Sequence, residues 1–107
     1  MLSRIIQCTI RPDQVQEFRD KLNNRFLPSI QAQPGFIENI ESLDPATGQY
    51  TCLTLWQTAE DVQNYDNGLF QEIAANLGPY MQDGPTVTTL PVENSSVHHI
   101  KAGSAAA

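Results

Sequence analysis

The sequence predicts an α+β domain: a four-stranded antiparallel sheet in the ferredoxin-like, split βαβ order β-α-β-β-α-β, with both helices on one sheet face. Three observations carry this prediction. Two long segments, 13–33 and 58–77, repeat apolar residues every three or four positions, the period of a helix with one buried stripe. Four shorter segments alternate with period two or are rich in β-branched residues, as strands are. Between them, Pro, Gly and a helix-capping motif punctuate the chain where each element must stop or start.

Along the chain, Leu2, Arg4, Ile6, Cys8 and Ile10 alternate with Ser3, Ile5, Gln7 and Thr9, which reads as a first strand with one mostly apolar face. Pro12 ends it, because proline cannot donate to a ladder, and Asp13, with Gln16 three positions on, is expected to cap the first helix. That helix carries Val15, Phe18, Leu22, Phe26 and Ile30 as its apolar stripe, and Glu17 and Lys21 as an i,i+4 pair on the wet face. Pro28 removes one helical hydrogen bond and predicts a kink or division, and Pro34-Gly35 stops the helix.

A second strand over 36–43 and a third from 49 or 50 to 57 flank Asp44-Pro45-Ala46-Thr47-Gly48, a turn of the hairpin type. Thr58-Ala59-Glu60-Asp61 is a capping box that starts the second helix, with Val62 and Tyr65 on one face. Asn67-Gly68 breaks this helix, after which Leu69, Phe70, Ile73 and Leu77 resume the stripe as far as Gly78-Pro79. A loop over 80–85 leads to a fourth strand over 86–92, with Pro91 placing its end at a sheet edge. Residues 1–93 form one domain in this reading, and 94–107 a C-terminal tail of Ser, Gly and Ala around His98-His99, with no core-like pattern.

Both faces of the third strand carry apolar groups: Tyr50, Cys52, Thr54 and Trp56 point one way, and Thr51, Leu53 and Leu55 the other. Two helices cover one face of the sheet, so the other is expected to meet a partner, most simply a second copy related by a two-fold axis.

The 107 residues suit one core, and the net charge of −6 repels phosphate backbones and anionic membrane surfaces, so neither nucleic acid nor membrane is an expected partner. Nothing in the sequence has the length of a transmembrane span, and the N-terminus is too polar for a signal peptide, which places the chain in the cytoplasm. There Cys8 and Cys52, each within a strand, are expected as small buried thiols and not as a disulfide, and no Cys/His spacing predicts a metal site.

Pro34-Gly35-Phe36 after a Phe-containing helix, the Asp44-to-Gly48 turn, Trp56 ending the third strand and the Thr58-to-Asp61 helix start follow one another in an order and spacing that resembles the antibiotic biosynthesis monooxygenase (ABM) family of the dimeric α/β-barrel superfamily. The likeness spans about 5–90. It implies a small cytosolic homodimer with a pocket between sheet and helices in each subunit. It further implies a cofactor-independent monooxygenase that oxidises a small aromatic or quinol-like substrate with dioxygen, with no metal, flavin or haem. The alternative is a non-catalytic dimeric module of the same fold, binding a small hydrophobic ligand or serving a structural role. Haem-degrading members carry an Asn in the first strand and a His in the second helix. This chain has Gln7 in the one and Asp66 and Asn67 in the other, which disfavours haem degradation. Some oxygenase members also carry an Asn on the third strand shortly before the tryptophan, where this chain has Cys52 and Thr54.

The candidate site follows from both lines of reasoning. The resemblance makes Trp56 a pocket wall; an ordinary core tryptophan is the plain alternative. Tyr50, Cys52 and Thr54 share its face by parity and are candidate substrate-binding residues, although Cys52 has no neighbouring base in sequence to make it a nucleophile. Tyr65 is placed to donate to a ligand oxygen or to pack on the sheet, and Phe70 to serve as core and then as ligand wall. Asp66, beside the helix break, is the best-placed carboxylate for a catalytic base; a solvated helix-end Asp is its alternative. Adjacent His98 and His99 in a tail lack the geometry of a metal or catalytic pair.

Overall fold

The computed structural model describes residues 1–100, so the 101–107 part of the tail lies outside the described residues. Strands β1 (Leu2–Thr9), β2 (Phe36–Leu43), β3 (Gln49–Trp56) and β4 (Thr86–Pro91) form one antiparallel sheet in the order β2-β3-β1-β4. This is the split βαβ arrangement the sequence predicts. β1 lies between β3 and β4, with Arg4 opposite Thr54 and Thr89.

The first helical segment bends by a change of helix type. A 3₁₀ turn (Pro12–Gln14) leads into α1 (Val15–Lys21), then a π-helical stretch (Leu22–Phe26), then α2 (Leu27–Gln31). The Leu27 N–H donates to the Leu22 carbonyl five residues back, and Pro28 sits in the first turn of α2, where a missing N–H costs little. The predicted division therefore occurs, one turn ahead of the proline. Val15, Phe18, Leu22, Phe26 and Ile30 are all buried, as the stripe requires. Two local expectations are corrected. Asp13 lies inside the 3₁₀ turn, and no side chain caps it. Lys21 places Nζ 5.5 Å from the Tyr80 ring centroid, while on the wet face Gln16 donates to Asp20 at 2.8 Å.

The hairpin turn closes around Asp44, whose carboxylate accepts from the Ala46 N–H at 2.9 Å and whose carbonyl accepts from Gly48 at 2.7 Å. Gly48 has φ +81°, and a Cβ there would collide with the Ile10 carbonyl, so only glycine fits. Thr58 caps α3 (Ala59–Asn67), accepting from the Asp61 N–H at 3.1 Å while its hydroxyl donates to the Asp61 carboxylate at 2.8 Å. The break at Gly68 separates α3 from α4 (Leu69–Leu77) as expected.

The helices pack on the face that carries Tyr50, Thr54 and Trp56, and the core lies between them. On the opposite face Ile5, Ile40 and Leu53 lie in one cross-strand row, with Leu90 on the next; Ile40 and Leu90 are each 53 % exposed. Every residue of β4 is exposed. Leu55, on that same face, is nonetheless buried. The chain's own tail reaches this face beside it. Ser95 and Ile100 exchange backbone hydrogen bonds of 2.7 and 2.9 Å, and the intervening turn brings His98 Nε2 to 3.0 Å from Glu38, the register partner of Leu55. Over 95–100, then, the tail is anchored and not loose.

Candidate active site

A cavity of about 90 Å³ lies between the sheet and the helices. Its floor is the inward set of β1, β3 and the distal half of β2; its roof is the stripe of the first helix together with Tyr65 of α3 and Phe70 and Ile73 of α4. The structure brings Tyr50, Cys52, Thr54, Tyr65 and Phe70 to this one wall. Trp56 and Asp66 are not among the lining residues. Trp56 is fully buried beside the cavity, its ring 4.8 Å from that of Tyr65 and edge-on to Phe36. Its Nε1 donates to the Thr54 hydroxyl at 2.8 Å, and that hydroxyl in turn donates to the Arg4 carbonyl at 3.4 Å. Asp66 is about one-third exposed at the break between α3 and α4.

Arg4 is the dominant polar group of the wall. It is 1 % exposed and lies on the floor among apolar groups. Its guanidinium carbon stands 4.2 Å from the Phe70 ring centroid and 5.2 Å from that of Tyr65, a cation against two neighbouring aromatic rings. Nε approaches Asp66 Oδ1 at 2.8 Å, but out of line, so neither atom makes a hydrogen bond. Nη2 is buried and has no hydrogen-bond partner among the described residues.

Towards the hairpin end the wall carries Glu41 and Asn39. A β-bulge at Ile37 puts them there: it shifts the register between Phe36 and Glu38, so that Phe36 and then Asn39, Glu41 and Leu43 face the helices. Burial raises the Glu41 carboxyl above its ordinary value, with the Tyr50 hydroxyl pulling it back. Burial likewise pushes the Cys52 thiol up to about 11, opposed by Tyr50, and the Tyr65 hydroxyl up to about 12, opposed by the Arg4 charge. Tyr50 moves the same way, chiefly by burial. Burial in the wall thus disfavours the charged form of each of these groups. Among the described residues no three His, Cys, Asp or Glu side chains cluster as metal ligands, and His98 and His99 lie away from the cavity.

Arg4, Asn39 and Glu41 are the site residues missed by sequence reasoning. For Arg4 a signal existed: it is the one charged member of the inward set of the first strand. For Glu41 there was none, because counting by twos from Phe36 points it outward, and a single inserted residue reverses the count.

Fold and cavity define a class: a small α+β domain of ferredoxin-like order that encloses a mostly apolar pocket between sheet and helices. More specifically, the chain belongs to the antibiotic biosynthesis monooxygenase family, whose sequence profile matches residues 1–75. No curated protein matches the chain. Solved structures of the same fold include Rv0793 from Mycobacterium tuberculosis, at 16 % identity and TM-score 0.72, covering 89 % of this chain and 97 % of that one. A monooxygenase from the gene ActVA-Orf6 of Streptomyces coelicolor, in complex with nanaomycin D, aligns at 10 % identity and TM-score 0.74 over 88 % of each chain. The haem-degrader MhuD from Mycobacterium tuberculosis, with two haems bound in its active site, aligns at 21 % identity and TM-score 0.67, covering 89 % of this chain and 98 % of that one. No helix among the described residues is long and apolar enough to cross a membrane.

Proposed function

We propose that the chain is a cofactor-independent monooxygenase that oxidises a small aromatic or quinol-like substrate with dioxygen. The observation that carries this reading is an apolar cavity between sheet and helices with one buried guanidinium in its wall. At about 90 Å³ it is smaller than the engineered apolar cavity of about 150 Å³ that holds benzene, so a single ring is the most it could take, and only with outward movement of the wall. A haem is far too large for it.

The chemistry closes without an external reductant. A phenol gives up four electrons in becoming a quinone, and dioxygen accepts four. One oxygen atom forms the new carbonyl and the other leaves as water. The substrate supplies the electrons, so the protein has to bind the ring, favour loss of its hydroxyl proton and exclude bulk water. Tyr50, Cys52, Thr54, Tyr65 and Phe70 would hold the ring. Glu41 is a second candidate base beside Asp66, and the better placed, because it belongs to the wall and its raised affinity for protons suits proton abstraction near neutral pH. Asp66 would act through Arg4, and Trp56 by holding Tyr65 and Thr54 in place.

The same proposal makes the protein a cytosolic homodimer of the domain over 1–93, joined through the face of Ile5, Ile40, Leu53 and Leu90 and the exposed β4. Light scattering then gives twice the 11.9 kDa chain mass; a monomer at micromolar concentration rules the dimer out. Oxygen uptake on a panel of phenols, quinols and anthrones, with metal-free protein, tests the catalysis. Uptake above the blank by the wild type, lost when Ile6→Phe fills the cavity, supports it. Identical traces for wild type, variant and blank leave a ligand-binding module.

A further inference from the structure

The buried guanidinium has a feature that its place in the fold does not account for. A charged side chain 1 % exposed is expected to have every N–H matched, because burial strips it of water. Arg4 departs from this: Nη2 has no partner among the described residues, and Nε meets its one carboxylate out of line. Both nitrogens belong to a side chain of the cavity wall, and the guanidinium lies against the Phe70 ring.

We propose that Arg4 Nη2 is the seat for one anionic oxygen on a small planar ring, a phenolate or enolate, bound in the cavity beside Phe70. This rests on the oxygenase reading and narrows its substrate class. The geometry favours a single oxygen over a carboxylate. With the Nε side of the fork turned to Asp66, a carboxylate would need both Nη nitrogens, whereas a single oxygen needs only Nη2, the nitrogen buried without a partner among the described residues. The shape favours a ring, since Phe70 and Tyr65 both lie close to the guanidinium and the remaining wall is largely apolar. The charge balance agrees. Burial shifts Tyr50, Cys52 and Tyr65 towards their neutral forms, and Glu41, as the base, becomes neutral when it takes the hydroxyl proton. Arg4, with Asp66 behind it at the surface, is then the charge an entering anion meets.

The test is binding, not turnover, so it stands apart from catalysis. Para-nitrophenol is redox-inert under air and changes colour on ionisation. Titrated into wild-type protein, it is expected to bind as the phenolate, at least about tenfold more tightly than para-nitroanisole, which has the same ring and no ionisable oxygen. Bound ligand is expected to ionise at lower pH than free ligand. Arg4→Met is expected to abolish the preference while leaving nitroanisole binding within about twofold, and Arg4→Lys to restore part of it. Equal binding of the two ligands by wild type would overturn the proposal, as would tighter binding of para-nitrobenzoate than of the phenolate. If Arg4→Met fails to fold, the comparison of ligands on wild type decides alone. Nitrophenolate binding together with no oxygen uptake on the phenol, quinol and anthrone panel would defeat the oxygenase reading and leave this inference intact.

Discussion

Replacing Arg4 by methionine is expected to make the protein more stable, not less. The guanidinium is buried with Nε and Nη2 lacking hydrogen bonds, and each such atom costs about 1–3 kcal/mol. Against that stand two favourable contacts. The ion pair with Asp66 has one partner about one-third exposed, which limits it to about 0–1 kcal/mol. The cation over Phe70 at 4.2 Å contributes about 1–2 kcal/mol, of which a thioether on the same ring returns about 0.3–1.5 kcal/mol. Asp66, once released, reaches water. The balance favours Arg4→Met by about 1–3 kcal/mol, in line with other buried ion pairs replaced by apolar groups of similar volume. In a domain of about 100 residues that raises Tm by at least about 4 °C. Urea unfolding of both proteins, with equal slopes, measures it. A variant destabilised by more than about 1 kcal/mol would mean that the guanidinium holds the fold together, and the argument that it is kept for a ligand would fail.

Four further outcomes are expected. Glu41→Gln should gain stability near neutral pH. The folded state holds the Glu41 proton more tightly than the unfolded chain does, so the stability linked to that proton is fully present below the ordinary value of 4.5 and lost as pH rises through the higher folded one. The gap between variant and wild type in urea unfolding should therefore close as pH falls towards 4.5; a gap that does not move with pH would contradict the assignment. Gly48→Ala should cost at least about 2 kcal/mol, since φ +81° disfavours any Cβ and this one meets the Ile10 carbonyl; a loss below about 0.5 kcal/mol would mean that the turn relaxes freely. Thr58→Ala removes the cap of α3 and should cost about 1 kcal/mol by the same measurement, Thr58→Asp much less. Cys8 and Cys52, both pushed up to about 11 chiefly by burial, should react with a disulfide reagent far more slowly in the native state than in urea, where both titrate rapidly.

Element order and the main core stripe were legible because they depend on local period and on punctuation. Val15, Phe18, Leu22, Phe26 and Ile30 repeat at helical spacing and are buried together; Gly68 divides the second helix where the apolar pattern is interrupted. Parity placed Tyr50, Cys52 and Thr54 on the face that became the cavity floor. What period cannot convey is an inserted residue. The bulge at Ile37 turns Asn39 and Glu41 inward against the count, so both were hidden. Nor does period show which side chains lie one layer back. Trp56 shares the face of Thr54 yet ends where Tyr65 covers it, and Asp66 reaches the wall only through Arg4. Composition does not show what holds the tail over 95–100, because its contact joins His98 and Glu38, residues sixty positions apart. Arg4 was in view throughout: a charge among Leu2, Ile6, Cys8 and Ile10 either ruins a strand face or serves something bound there.

The most direct test of the oxygenase reading is an isotope balance with a small phenol that the protein binds. Under labelled dioxygen, one labelled atom should appear in the quinone for each dioxygen consumed, the other in water, and Glu41→Gln and Arg4→Met should each lose the product. Binding with no label in the product, or uptake ending entirely in hydrogen peroxide, would contradict it.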